Sequence, residues 1–142
     1  MKLTAFVDDL VYEPTQTDSP GLDLTVDSIS RITDPGRVDF GGGELTAAET
    51  DPVQTEKRDP EDDYGWWDLT EGVYIVDYNE TLAAPDDLSF VLQTRREVRT
   101  LGAFHPTVHL MGDQPLGPIP LTVSAGGIKI KENARLSTLL SG

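Results

Sequence analysis

The chain is 142 residues long, carries 25 acidic against 11 basic residues for a net charge of −14, and has no cysteine. That length predicts one domain able to bury a real core, and the missing thiols exclude a disulfide scaffold, a cysteine nucleophile and any cysteine-held zinc or iron–sulfur centre. The acidic balance argues against nucleic acid as a partner, since phosphate backbones demand a cationic footprint, and no apolar run approaches the roughly 20 residues needed to span a bilayer.

The first residues meet Asp8 and Asp9 too soon for a secretion signal, so the expected location is the cytoplasm or a particle. Val7 to Val11 predicts a short helical turn. Leu22-Asp23-Leu24-Thr25-Val26-Asp27 alternates apolar and polar without a break, the pattern of a half-buried strand. A second helical turn is predicted over Glu44 to Glu49. Residues 41–63 hold three consecutive glycines and many acids, with Val53 almost the only bulky apolar residue after Leu45. Such a stretch buries too little to order itself and reads as an exposed acidic loop within a single domain spanning 1–142.

Trp66-Trp67 marks the return to the core. Gly72 to Tyr78 is rich in β-branched and aromatic residues and predicts a strand closed by Asn79-Glu80. Leu88 to Gln93 follows the turn signal Ala84-Pro85-Asp86-Asp87. Leu121 to Val123, Gly127 to Lys131 and Ala134 to Leu140 predict three more strands, divided by Ala125-Gly126-Gly127 and Lys131-Glu132-Asn133. Ten prolines and thirteen glycines leave little room for helix, so the fold class expected is all-β, a sandwich or barrel.

Charge is unevenly spread. Residues 1–90 hold 22 acids and 5 bases, whereas residues 91–142 hold 3 acids and 6 bases. Excess carboxylate keeps a surface hydrated in high salt, which points to a halophilic source. His105 and His109, the two histidines, are four apart with Pro106 between them. In an extended chain their rings lie roughly 13 Å apart at ~3.3 Å per residue, too far for one metal, so packing at a surface or interface is expected and no metal site. Asp59, Glu61, Asp62 and Asp63 lack the spacing of a calcium loop, and Gly41-Gly42-Gly43 lacks the Lys-Ser or Lys-Thr that completes a phosphate loop. Arg95, Arg96 and Arg99 fall within five residues. Such a group either grips phosphates through forked hydrogen bonds or pairs with an acidic neighbouring subunit. No serine sits in a nucleophile-elbow setting.

The order of segments resembles the dUTPase and dCTP deaminase superfamily, above all its short archaeal members. Pro20 to Asp27 resembles the family's early strand, Asp34-Pro35-Gly36-Arg37-Val38 and Leu69 to Glu80 continue the series, Pro85 to Val91 resembles the next strand and Ile128 to Leu136 the closing one. The resemblance implies a β-clip, a distorted jelly-roll-like barrel that assembles as a homotrimer. Its catalytic motifs are expected between Gln93 and Leu121. Where the family carries an Arg-Ser-Ser triplet for the phosphates, this chain has Thr94-Arg95-Arg96-Glu97, with Arg95-Arg96 in place of the serine pair. Where the family places an aspartate, a glycine and an aromatic, this chain has Leu110, Gly112 and Asp113. Leu110 has no polar atom to orient water, so Asp113 is the fallback carboxylate if the register shifts.

Core strands beside erased polar motifs imply a non-catalytic relative with no catalytic residues and no cofactor. The expectation is then a structural or interaction trimer on a symmetric assembly, such as a capsid decoration protein on the virion of a halophilic archaeal host. The alternatives are a magnesium-dependent dUTP or dCTP hydrolase or deaminase, and a regulatory nucleotide-binding protein with Arg95, Arg96 and Arg99 as its phosphate contacts.

Overall fold

The computed structural model describes residues 2–142. Its strands are β1 Val7–Asp8, β2 Leu22–Asp34, β3 Glu49–Pro52, β4 Trp66–Leu69, β5 Gly72–Tyr78, β6 Thr81–Leu82, β7 Ser89–Thr94, β8 Ala103–Phe104, β9 Val108–Met111, β10 Ile119–Val123, β11 Ile128–Lys131 and β12 Arg135–Ser141. Helix among the described residues is confined to α1, Glu13–Gln16, and two 3₁₀ turns, Leu3–Ala5 and Arg96–Val98. No helix is long and apolar enough to cross a membrane.

One curled antiparallel sheet organises the chain in the order β8-β10-β5-β2-β12-β7-β9, with β3 added to the far half of β2. The pairs β1–β6 and β4–β11 flank it. Period-two alternation explains the core: Leu22, Leu24 and Val26 point inward from β2, as do Tyr74 and Val76 from β5, Phe90 and Leu92 from β7, and Leu139 from β12, all buried. Phe6 meets Phe90 edge to face at 6.3 Å between ring centres.

Strand β2 is thirteen residues long and changes partner along its length. Its first half pairs with β12, its second with β5 and β3, and a register shift falls between Val26 and Ser28. The sequence shows that bulge as a slip of phase, with inward Val26 and Ile29 three apart instead of two. The alternation read over Leu22–Asp27 therefore stops short of the true end at Asp34.

Both predicted helical turns are corrected. Asp9 takes a positive φ of 66°, which breaks a right-handed turn, and Val7–Asp8 pairs with Leu82 and Thr81 instead. Glu44 to Glu49 runs into β3, and the helix forms at Glu13–Gln16, where Gln16 Oε1 reaches back to accept the Tyr12 backbone N–H at 2.8 Å. The acidic stretch 41–63 is exposed over most of its length, yet it is not wholly loop. Glu49–Pro52 pairs with Ser30–Asp34, and an isolated bridge joins Arg37 to Thr46. The result is a two-stranded arm ending in Val38–Leu45.

Candidate functional site

Three adjacent strands build the site. Thr138 of β12 lies in register with Asp23 of β2 on one side and Gln93 of β7 on the other, so these three side chains form a row on one face of the sheet. Asp23 is completely buried. Its carboxylate accepts a hydrogen bond from Thr138 Oγ1 at 2.8 Å and lies 3.2 Å from Arg135 Nη1 and 3.3 Å from Arg95 Nε. A buried carboxylate is tolerable only with such partners. Arg95 also lies 2.8 Å from Glu97, so it is pinned between two acids of its own chain. The attraction is Coulombic, because its Nε–H aims at neither oxygen well enough to make a hydrogen bond.

A cleft of about 250 Å³ opens over this row, walled by Ser19, Pro20, Gln93, Arg95, Arg96, Glu97, Arg99, Thr138 and Leu140. A neighbouring cavity of about 270 Å³ shares Gln93 and Arg99 and is lined further by Thr94, Phe104, His105 and Thr107. The structure thus brings Arg95, Arg96 and Arg99 to one cleft wall. Ser19 and Pro20 are held against it by Gly21, whose φ of +84° and approach to Leu139 O leave no room for a side chain: an added Cβ would lie 2.6 Å from that oxygen.

The other motif positions lie elsewhere. Leu110 is buried in the hydrophobic core opposite Phe90. Asp113 is exposed in the turn after β9, and neither residue lines either cavity. His109 is exposed on β9, while His105 corrects the expectation of surface or interface packing: it is buried, only 4% exposed. The ring is held at both nitrogens, by the Pro106 carbonyl at 2.9 Å and by Ser137 Oγ at 2.7 Å. Since a carbonyl only accepts, Nδ1 carries the proton, Ser137 donates to Nε2, and Tyr78 donates to Ser137 across 2.6 Å. Burial drives the His105 pKa below its ordinary value, opposed by the Pro106 bond. Burial likewise pushes the Tyr78 phenol up, opposed by its Ser137 bond and aided by Glu80.

Sequence reasoning missed Asp23 and Arg135 as site residues. The signal lay in two facts: an acid on the face of β2 opposite its apolar row, and lone basic residues in an acidic chain. Only the β2–β12–β7 pairing joins them.

Among the described residues no group of three or more His, Asp or Glu could hold a metal ion by itself. Magnesium is usually held through one or two carboxylates together with substrate phosphates, and the cleft fits that arrangement. Asp23 has its oxygens engaged, whereas Glu97, half-exposed on the wall, is paired with Arg95 through Oε2 and is the carboxylate that would hold the metal.

No protein-family model matches the chain. Whole-length comparison finds clear relatives. The chain is 32% identical over 136 residues to a protein of Methanosarcina mazei named "Probable deoxyuridine 5'-triphosphate nucleotidohydrolase", covering 94% of this chain and 76% of that protein. It is 32% identical over 128 residues to the protein of the same name from Methanosarcina acetivorans, covering 89% and 71%. A Halobacterium salinarum protein of that name is 34% identical over 108 residues, covering 73% of this chain and 63% of its own length. Among solved structures, a 2'-deoxycytidine 5'-triphosphate deaminase from Agrobacterium tumefaciens superposes with a TM-score of 0.62 at 20% identity, covering 96% of this chain and 43% of that one, and shows the same β fold. These findings overturn the reading as a non-catalytic trimer decorating a virion, because the relatives bear the name of a hydrolase. Side chains at single motif positions can be replaced while the strands and the cleft they build are kept. With a third of its residues shared along nearly its full length, the chain belongs to the deoxyuridine 5'-triphosphate nucleotidohydrolase family, within the dUTPase and dCTP deaminase superfamily.

Proposed function

We propose that the protein hydrolyses dUTP to dUMP and pyrophosphate with magnesium, as a homotrimer. The observation that carries this reading is the cleft wall of Arg95, Arg96 and Arg99 in a chain of net charge −14. Three guanidiniums gathered on one concave surface, with Arg95 already balanced by Asp23 and Glu97, offer a triphosphate forked donors and the positive charge of Arg96 and Arg99. The family name borne by the relatives supplies the nucleotide.

Arg95, fixed between Asp23 and Glu97, is preorganised, so it loses little freedom when a phosphate arrives. Arg96 and Arg99 stand at the rim and neutralise the remaining charge. The neighbouring cavity offers the base an apolar face at Phe104 and an amide at Gln93. Glu97 is the residue that would hold magnesium together with the phosphates, and the metal would supply charge withdrawal from the leaving pyrophosphate. Phosphoryl chemistry depends chiefly on positioning and electrostatic stabilisation. Leu110 sits in the core and contributes no carboxylate, so the rate is expected to lack the ~10²–10⁴-fold that a positioned general base adds.

The test is to incubate the purified protein with magnesium and each deoxynucleoside triphosphate, following pyrophosphate and ammonia. Pyrophosphate from dUTP is expected, with Arg96→Ala and Arg99→Ala each raising KM by roughly 10- to 100-fold, the loss of a charged hydrogen bond worth about 1.5–3 kcal/mol. Absence of pyrophosphate from every nucleotide overturns the hydrolase reading, and nucleotide binding without turnover assigns the cleft to a regulatory role.

A further inference from the structure

The arm formed by β2 and β3 is covered only near its base, where Ser30 and Arg31 also pair with β5. Every residue of β3 is exposed, and at the tip Val38 is 84% exposed, Leu45 68%, and Phe40 fully so. Two-stranded hairpins are marginal in water by themselves, and three large apolar side chains at a free tip gain nothing from solvent. Residues 34–52 also carry five acids against the single base Arg37.

The basic third of the chain offers the complement. Beside β11 and β12 lies an apolar groove of about 210 Å³, with Trp66, Leu101 and Ile128 among its lining residues. Its bases are Lys131, Lys129, which pairs with Asp68 at 3.1 Å, and Arg95 and Arg135, which pair with Asp23. Leu101 is 59% exposed there. An apolar tip flanked by acids thus matches an apolar groove flanked by bases. Phe40 touches nothing in its own chain, so the groove it fills is on another copy.

We infer that the arm of one subunit docks in the β11–β12 groove of a second copy of this chain, with Phe40 as anchor and Asp39 and Glu44 facing the Lys129 and Lys131 rim. Each copy presents one arm and one groove, so the contact runs head to tail, and a closed ring fills every groove. The groove shares Arg95 and Arg135 with the candidate site, but docking is read by association and hydrolysis by a separate assay, so the failure of one is distinguishable from the failure of the other.

The absence of native cysteine makes the test direct. Gly41→Cys, next to the anchor with open space around its Cβ, and Leu101→Cys are made in separate chains of distinguishable size, mixed and mildly oxidised. The expected result is a disulfide-linked heterodimer at least about tenfold more abundant in the mixture than linked species of either variant alone. In parallel, Asp39→Lys with Glu44→Lys is expected to weaken self-association at least about tenfold, and Lys129→Glu with Lys131→Glu in the partner to restore it. Circular dichroism confirms that each variant is folded. If folded variants show no excess heterodimer, or if the arm reversal leaves the association constant unchanged, the arm serves a different partner and the inference fails.

Discussion

His105 shows how one buried side chain sets a pH response. Its pKa is lowered by burial, so above the unfolded value of ~6.5 the neutral ring contributes its full stability. As pH falls below ~6.5 the unfolded chain takes up a proton that the folded ring resists, and the contribution is lost. The expected outcome is a melting temperature that drops between pH 7.5 and 5.5 in the native chain, and drops measurably less in His105→Gln. At the cleft, Glu97→Gln is expected to raise the magnesium concentration for half-maximal rate by about tenfold or more, in the range seen when the groups around a metal are altered, with little change at saturating metal. A magnesium titration of dUTP turnover reads this directly.

Among the elements, the junction of α1, β2 and β6 depends on a second buried carboxylate. Glu80, just before β6, accepts hydrogen bonds from the Thr25 backbone N–H at 2.9 Å, the Thr25 hydroxyl at 2.5 Å and Gln16 Nε2 at 2.9 Å. Removing the acceptor leaves buried donors unpaired, at ~1–3 kcal/mol each. Glu80→Ala is therefore expected to cost about 3 kcal/mol or more, read as a lower denaturation midpoint at unchanged slope. The same elements show what the sequence reveals. Strand β5 is legible from end to end, because Gly72–Tyr78 is β-rich and bounded by turn residues. Strand β4 is legible only as the return at Trp66-Trp67, since four residues carry too little period to count. The arginines are visible as candidates because they are contiguous. Asp23, some seventy residues earlier, becomes their partner only through strand pairing, which local pattern does not encode.

At the scale of the whole molecule, assembly brings together subunits of charge −14 each. Screening lengths fall from ~10 Å at 0.1 M salt to ~3 Å at 1 M, so subunit association and melting temperature are both expected to rise with salt. Light scattering and calorimetry across that range check this, and invariance would show that charge repulsion does not govern assembly. The bulge after Val26 has a mechanical consequence for such an assembly. Beyond it, β2 is held by β5 and β3; before it, by β12, next to Asp23. The interrupted ladder divides the strand into two separately loaded zips. A load applied at the arm would fall first on the β2–β3 and β2–β5 rungs, while the β2–β12 rungs that hold Asp23 beneath the cleft belong to the other zip.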